Sequence, residues 1–569
     1  MASVIYQCIS TVFFRPNCGL RQGDPLSPPL FVLVTVVLSR MINRAELHGL
    51  LKGIKIARHA PPIINVLLPD DIMLFCRANP GEVRQLQKCI IMFAQWSGQV
   101  VNPHKSFLHF SNNLNADRRA QISHILRLQP ATETGEYLGA PLYIPRSKNI
   151  ACREVQEKVA KRLAGWKARA LSQAERTVLL QSVAQAIPSY LMSAFLFPKS
   201  VNRGLDIRTK NFWWGFDGET RRYHPKSWES ICRPKDCGGL GLRRMEDLNR
   251  ALVAQRGWEL MANENSLWVK ALAAKYCRGS TLLQARCIQG GSWFWQGLLK
   301  SRDIVEAGFC WSITSGREII NIWSSPWVTG LEGYIPKLKW GVTVDCHLNH
   351  VSDLINPVTN AWKETLIRDI FKAKSTEAIL NISLQTTHTE SMPRWVLSNK
   401  GSFFVKDAYL RDQHHRFVNT GDVSQQEWRL IWKLKVQHRL KLLFWKVVAK
   451  ALPVGNNSSL AFKLCPLCNC AGETLKHLFL ECSVSSGLWR IGPWPLDTEA
   501  FRDLPIHAWI KFLLNRTNLP GEVQERWPRM MIAVTLIVDT IWNTRNKIIH
   551  EGHLLEVREL LRSIQRRYQ

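Results

Sequence analysis

Acidic side chains are scarce in this chain of 569 residues: 45 Asp and Glu stand against 75 Lys and Arg, giving a net charge of +30 and a pI near 9.8. So large an excess of cations favours a polyanionic partner, because every neutralised phosphate releases condensed counterions. The shortage is total at the N-terminal end, where residues 1–23 contain no Asp or Glu. Long apolar runs are also missing. Leu30–Leu38 falls far short of the ~20 residues that cross a bilayer, and Met530–Trp542 is interrupted by Asp539, so no membrane span is expected. Met1–Ser10 lacks a basic segment followed by a sustained apolar one, which argues against a secretory leader and for an intracellular, reducing setting. The fifteen cysteines are therefore not expected to form disulfides. No internal repeat or low-complexity tract is present, and 46% hydrophobic with 9% aromatic residues describes a folded chain rather than a disordered one. The length suggests about three or four domains.

Residues 26–47 have a helical period after a proline-rich start, with Leu30, Leu33, Val34, Val37 and Leu38 on one face. Two short apolar runs, Ile63–Leu68 and Ile72–Phe75, flank Pro69-Asp70-Asp71 and read as a β-hairpin with both carboxylates at its tip. Glu82–Trp96 is again helical. A turn-rich segment follows, from Ser97-Gly98-Gln99 to Asn102-Pro103-His104-Lys105-Ser106, and then strand-like Phe107–Phe110 and Tyr137–Ile144. Residues 150–197 are helical and basic, 205–330 are rich in tryptophan, and 331–425 are mixed and loop-rich. A compact module begins at Trp428, and Ile532–Ile549 reads as a terminal amphipathic helix. Most of the 23 tryptophans are expected in cores, given neighbours such as Phe212-Trp213-Trp214. The basic stretch Lys433–Lys450 fits a solvated helix face and a nucleic-acid grip equally well. Gly238-Gly239-Leu240-Gly241 lacks the strand-to-helix setting of a phosphate cradle and reads as a turn, and His414-His415 has no cysteine or carboxylate cluster beside it in sequence.

Two constellations carry chemistry. Asp70 and Asp71 are adjacent carboxylates at a hairpin tip, one half of a site in which two Mg²⁺ ions clamp the attacking and leaving oxygens of a phosphoryl transfer. An Asp-Asp pair taken alone is more often a solvated turn. The second constellation is Cys465-Pro466-Leu467-Cys468, then His477, then Cys482, a C-x2-C-x8-H-x4-C spacing. The first pair makes a turn aiming two thiolates at one centre, and the helical Thr474–Leu480 returns His477 and Cys482 to it. Three thiolates and an imidazole suit tetrahedral Zn²⁺, and four protein ligands leave no open position, so the ion would be structural. Cys470 competes as a ligand, although C-x-C spacing fits one ion less easily.

The run Gly19-Leu20-Arg21-Gln22-Gly23-Asp24-Pro25-Leu26-Ser27-Pro28, then Asp70-Asp71, then Ser97-Gly98-Gln99 with Asn102 and Lys105-Ser106, then Tyr137-Leu138-Gly139-Ala140-Pro141-Leu142, resembles in order and spacing the palm of plant LINE-type (non-LTR) retrotransposon reverse transcriptases. The resemblance continues through the zinc-binding domain that follows such polymerases. Its lead-in is matched by Trp432-Lys433-Leu434-Lys435-Val436, Phe444-Trp445 and Ala451-Leu452-Pro453, and its tail by Trp489 and Trp542-Asn543-Thr544-Arg545-Asn546. It implies that Arg21, Gln22 and Gly23 contact nucleotide and template, that Asp70 and Asp71 hold Mg²⁺, and that Lys105 lies near the nucleotide phosphates as a proton donor. It also implies RNA or an RNA–DNA hybrid as partner, and nuclear action.

The departures matter as much. In the family a further metal-binding aspartate precedes the Arg-Gln-Gly-Asp-Pro segment, and the acid-free residues 1–23 do not supply it. The family places an aromatic and a small residue before the aspartate pair, where this chain has Leu68 and Pro69, and proline removes a backbone donor from the hairpin. The chain also reaches Gln569 before an RNase H-like domain, often present in relatives, could form. The expectation is an α+β protein: a partial palm over 1–148, a helical thumb-like region over 149–204, and a Trp-rich connector over 205–425. A zinc-binding module over 426–500 and a helical tail over 501–569 complete it. Its expected function is that of a catalytically defective polymerase remnant that retains zinc and nucleic-acid binding. The rivals are a domesticated interaction protein built on the zinc module and a polymerase half that works only with a partner chain.

Overall fold

The computed structural model describes residues 24–67, 71–131, 144–165, 171–215, 224–262, 265–278, 280–286, 290–313, 320–342, 348–384, 392–417, 422–455, 464–552 and 556–569, with the backbone of short strands over 2–14 and 136–141. It divides into two compact units, residues 1–147 with 263–285, and residues 148–262 with 286–569.

In the first unit, β1 (Ala2–Tyr6) and β2 (Ile9–Phe14) pair antiparallel. Helix α1 (Ser27–Leu47) starts on Pro28 and Pro29, tolerated because first-turn N–H groups lack intrahelical partners anyway. Its buried residues, Thr35, Leu38, Ile42 and Ala45, recur every three or four positions, and the apolar three share a core with Leu86, Cys89 and Phe93 of α2 (Pro80–Ser97). The helix is the one expected, but its buried face is not: Leu30, Leu33, Val34 and Val37 are all exposed. The first half of α1 is apolar on every side, so periodicity alone does not select which stripe packs. Helix α2 is capped by Asn79, whose side chain accepts the Gly81 N–H at 3.1 Å, and stops at Gly98 with φ +70°. The expected hairpin forms from β3 (Asn65–Leu67) and β4 (Ile72–Leu74), antiparallel with Leu67 opposite Ile72. Where a strand is expected over 137–144, Glu136–Tyr137 pair antiparallel with Ala140–Pro141, and residues 138–139 and 142–143 lie outside the described ones.

The second unit is mainly helical. Helix α3 (Met245–Ala262) is buried along its length through Leu248, Ala251, Val253, Ala254 and Trp258. Strands β5 (Phe309–Trp311) and β6 (Pro393–Trp395) pair antiparallel, and a small separate core collects Ile322, Trp327, Leu354, Ile367 and Phe371. The helices α4 (Val405–Arg416), α5 (Gln425–Lys433), α6 (His438–Val448), α7 (Ser483–Ile491), α8 (Trp527–Glu551) and α9 (Val557–Tyr568) follow. The largest core runs without a break from Trp213, Ile231 and Leu240 through Trp428, Trp445, Phe479 and Trp489 to Trp509, Ile537 and Ile564. Helix α8, which reads from sequence as a terminal amphipathic helix, is therefore central, with buried residues from Trp527 to Arg545. The Gly238-Gly239 turn exists because aromatic rings press on it. Gly238 has φ +84°, a side chain there would start 3.1 Å from the Trp428 ring, and the Trp445 indole donates to the Gly238 carbonyl at 2.9 Å. At Gly239 a Cβ would fall 2.0 Å from the Arg233 carbonyl oxygen.

Among the described residues the strands occur only as two-stranded pairs, so the fold is mixed and helix-dominated, compatible with an α+β class. No described helix is long and apolar enough to cross a membrane.

Candidate zinc centre

Cys465 opens a tight turn closed by the Asn469 N–H to Cys465 O bond (2.8 Å) and the Cys465 N–H to Ala471 O bond (2.7 Å), with Asn469 in the left-handed region at φ +55°. That turn sets Cys465 and Cys468 side by side. The chain then re-enters a helical turn at Thr474, whose hydroxyl oxygen accepts the His477 N–H at 2.9 Å. The turn over His477–Glu481 is wide, and the Cys482 N–H bonds back to the His477 carbonyl at 2.8 Å. In an ordinary α-helix a residue five positions on points about 140° away. The wider i→i+5 turn returns Cys482 to the His477 side, as single-turn π-bulges at functional sites do.

The four ligand atoms, Sγ of Cys465, Cys468 and Cys482 and a ring nitrogen of His477, all lie within 4.8 Å of one another. Cys468 Sγ is 3.3 Å from His477 Nε2, and Cys465 Sγ is 4.0 Å from Cys482 Sγ. Sulfur at ~2.3 Å and nitrogen at ~2.0 Å from one tetrahedral zinc ion stand roughly 3.5–3.8 Å apart, so the donor set and its spacing fit Zn²⁺. Cys465 and Cys482 are fully buried and His477 is 8% exposed. The Cys465 thiol donates to the Cys482 sulfur, which holds the Cys482 pKa down and, with burial, pushes that of Cys465 up. Cys470 stays outside the group, exposed, its thiol donating to the Cys468 carbonyl at 2.9 Å.

The support around these ligands was invisible in the sequence. Glu473, in the loop between Cys468 and His477, is buried, accepts the Gly455 N–H at 2.9 Å, and takes two bonds from Arg545 of α8 at 2.7 and 2.9 Å. Arg545 also donates to the Pro453 carbonyl at 3.2 Å. One guanidinium therefore ties the ligand loop to both the Ala451-Leu452-Pro453 and the Trp542–Asn546 segments, a physical reason for those segments to accompany the cysteines. On the same helix, buried Asp539 accepts two bonds from Arg439 of α6, at 3.0 and 3.1 Å, and one from Arg567 of α9 at 2.7 Å. No local spacing signals either acid, because both partners lie far along the chain.

Of the remaining sequence candidates the structure describes Asp71 and Lys105. Arg21, Gln22, Gly23 and Asp70 lie outside the described residues. Asp71 is exposed at the start of β4, and Lys105 is exposed in the 102–105 turn, where its N–H bonds to the Asn102 carbonyl at 3.2 Å. Among the described residues no ion pair joins the two, and no group of three metal-binding side chains includes Asp71, so the described residues do not fit a Mg²⁺ centre. The structure does bring Asp236 and Cys237 to His414, which the sequence left unassigned. There Asp236 is already engaged by His414 at 3.1 Å and Arg429 at 3.0 Å, a clamp between the 233–241 turn and helices α4 and α5.

Comparison with known proteins adds an independent reading. Residues 403–489 match the family model described as zinc-binding in reverse transcriptase, a span that contains all four ligands. A candidate ribonuclease H protein of Arabidopsis thaliana is 29% identical over 350 residues, covering 59% of this chain and 55% of that protein, so the chain spans about half of that relative's length. Two uncharacterised mitochondrial proteins of the same plant also match, one 26% identical over 144 residues (25% of this chain, 93% of that protein), the other 52% identical over 99 residues (17% of this chain, 80% of that protein). The C-terminal region of the chain is reverse-transcriptase-related, and residues 403–489 carry the zinc-binding domain found in reverse transcriptases.

Proposed function

We propose that the chain is a nucleic-acid-binding remnant of a LINE-type retrotransposon polymerase whose C-terminal region is organised by one structural Zn²⁺, and that residues 1–569 alone do not polymerise. The observation that carries this reading is the convergence of Cys465, Cys468, His477 and Cys482 on one centre, inside the span that matches the reverse-transcriptase zinc domain. Four protein ligands leave no place for substrate, so the ion would hold the fold, and the net charge of +30 supplies the attraction to a polyanion. On this reading residues 1–148 descend from a polymerase palm, with Asp70, Asp71, Lys105, Arg21, Gln22 and Gly23 as its surviving positions, and residues 149–204 from a thumb. Within these 569 residues the palm lacks a carboxylate ahead of Arg21 to complete a two-metal site.

The test combines metal analysis, binding and primer extension on one preparation. Elemental analysis should give one zinc per chain, a labelled RNA oligonucleotide should bind with affinity that falls steeply in salt, and an RNA-templated primer should not be extended in Mg²⁺. Extension that an Asp70→Asn/Asp71→Asn variant abolishes would refute the defective-polymerase reading, and salt-insensitive or absent RNA binding would refute the nucleic-acid reading.

A further inference from the structure

The nucleic-acid reading leaves open where on the second unit a strand would be held. Several exposed cations there have a counter-charge: Arg429 pairs with Asp236, Arg439 and Arg567 with Asp539, Lys450 with Asp422 and Lys476 with Glu481. Others do not, and three such groups stand close together around one indole. Lys235 lies on the 233–241 turn, His438 opens α6 and Lys441 stands one turn further along it, and among the described residues none of the three has a carboxylate within salt-bridge distance. The Asp236 carboxylate, next to Lys235 in sequence, is taken by Arg429 and His414.

Trp432 organises this group. Its indole N–H donates to the Lys235 carbonyl at 3.1 Å, the Lys235 ammonium lies 4.9 Å from the centre of its ring, and the Lys441 ammonium donates to its backbone carbonyl at 3.3 Å. Trp432 is half-buried, with the Lys235 ammonium near its ring and the Lys441 ammonium on its backbone carbonyl. The groups repel one another: burial and Lys441 lower the Lys235 pKa, and burial, Lys235 and Lys441 lower that of His438. Placing them at the start of α6, where the helix dipole is positive and no side chain caps the end, adds to that cost. An arrangement this unfavourable in the free protein is relieved by an external anion. We infer that Lys235, His438 and Lys441, gathered around Trp432, form the contact site for consecutive phosphates of a single RNA strand. Ammonium groups beside a rigid aromatic match the alternation of phosphate and base along such a strand.

This inference rests on the nucleic-acid reading above, and the experiment separates the two. Anisotropy of a labelled single-stranded RNA is measured against salt for the full chain, for Lys235→Ala/Lys441→Ala, and for the control Lys372→Ala/Lys374→Ala, whose lysines are exposed elsewhere in the unit. Losing two phosphate contacts should reduce the slope of log affinity against log salt by about 1.4 and weaken binding about 25-fold at 0.1 M salt, with the control unchanged. Equal zinc content and equal melting temperature establish that the variants are folded, and Trp432→Phe should weaken binding without changing the salt slope. If wild type binds RNA and the double variant binds with the same slope, this site is wrong while the broader reading stands. If wild type does not bind RNA at all, the broader reading fails first. Competition by a poly-glutamate peptide as effective as unlabelled RNA would also overturn the assignment to a nucleic-acid strand.

Discussion

Replacing Arg545 by leucine removes a guanidinium that makes two charge-assisted bonds to Glu473 and one to the Pro453 carbonyl, with the side chains of the ion pair only 3% and 1% exposed. The stranded carboxylate keeps only the Gly455 N–H as a partner. Breaking a buried pair from one side costs about 3–5 kcal/mol, because the remaining charge stays desolvated. The Arg545→Leu loss in unfolding free energy is therefore expected to be about 4 kcal/mol. Glu473→Gln in the same background should recover part of it, since the stranded charge is then gone. Glu473 also fixes the loop between two zinc ligands, so zinc affinity, read by competition with a fluorescent chelator, should fall at least about tenfold, as for lost supporting contacts at other metal sites. Denaturant titrations together with the chelator assay decide the matter. A loss below about 1 kcal/mol, or zinc affinity within about twofold of wild type, would refute the reasoning.

Three further outcomes follow from the same geometry. Cys465→Ser should lose most bound zinc and lower the melting temperature, whereas Cys470→Ser should keep one zinc per chain, both read by elemental analysis and calorimetry. Asp206, which accepts the Trp228 indole N–H and the Met245 N–H at 3.1 Å each, has its pKa raised to about 6 by burial. Its folded pKa exceeds the unfolded one, so stability is lost as pH climbs from about 4 to 6, and Asp206→Asn should stabilise by about 3 kcal/mol at pH 7 and by little at pH 4. Burial pushes Lys446 down to about 8, so its charge burdens the fold below that pH and the burden lifts between about 8 and 10.4. Lys446→Met should accordingly stabilise by about 3 kcal/mol at pH 7 and by little at about pH 10.5, measured by thermal melts across pH.

Local features were legible in the sequence wherever one segment carries its own instruction. The helix expected over Glu82–Trp96 from its period forms as Pro80–Ser97, capped by Asn79 and stopped at Gly98. The β3–β4 hairpin was expected from two apolar runs around a turn, and the Gly238-Gly239 turn from its glycines. Misreadings arose where a segment is apolar on several sides. Helix α1 was expected to bury Leu30, Leu33, Val34 and Val37 and buries Thr35, Ile42 and Ala45 beside Leu38. Helix α8 was read as terminal and amphipathic and lies at the centre of a core.

The sequence by itself determined the ligand chemistry: three cysteines and a histidine at spacings that a turn and a short helix can close over one ion, together with a charge excess that seeks a polyanion. Only the tertiary structure decided which groups hold that centre and which cations remain free. Glu473 meets Arg545 across 72 residues and Asp236 meets Arg429 across 193. Such partners are chosen by where the helices pack, since a salt bridge depends on distances of a few Å in space and carries no periodicity along the chain. The same packing engages Asp236 with Arg429 and His414, so that among the described residues neighbouring Lys235 has no carboxylate within salt-bridge distance.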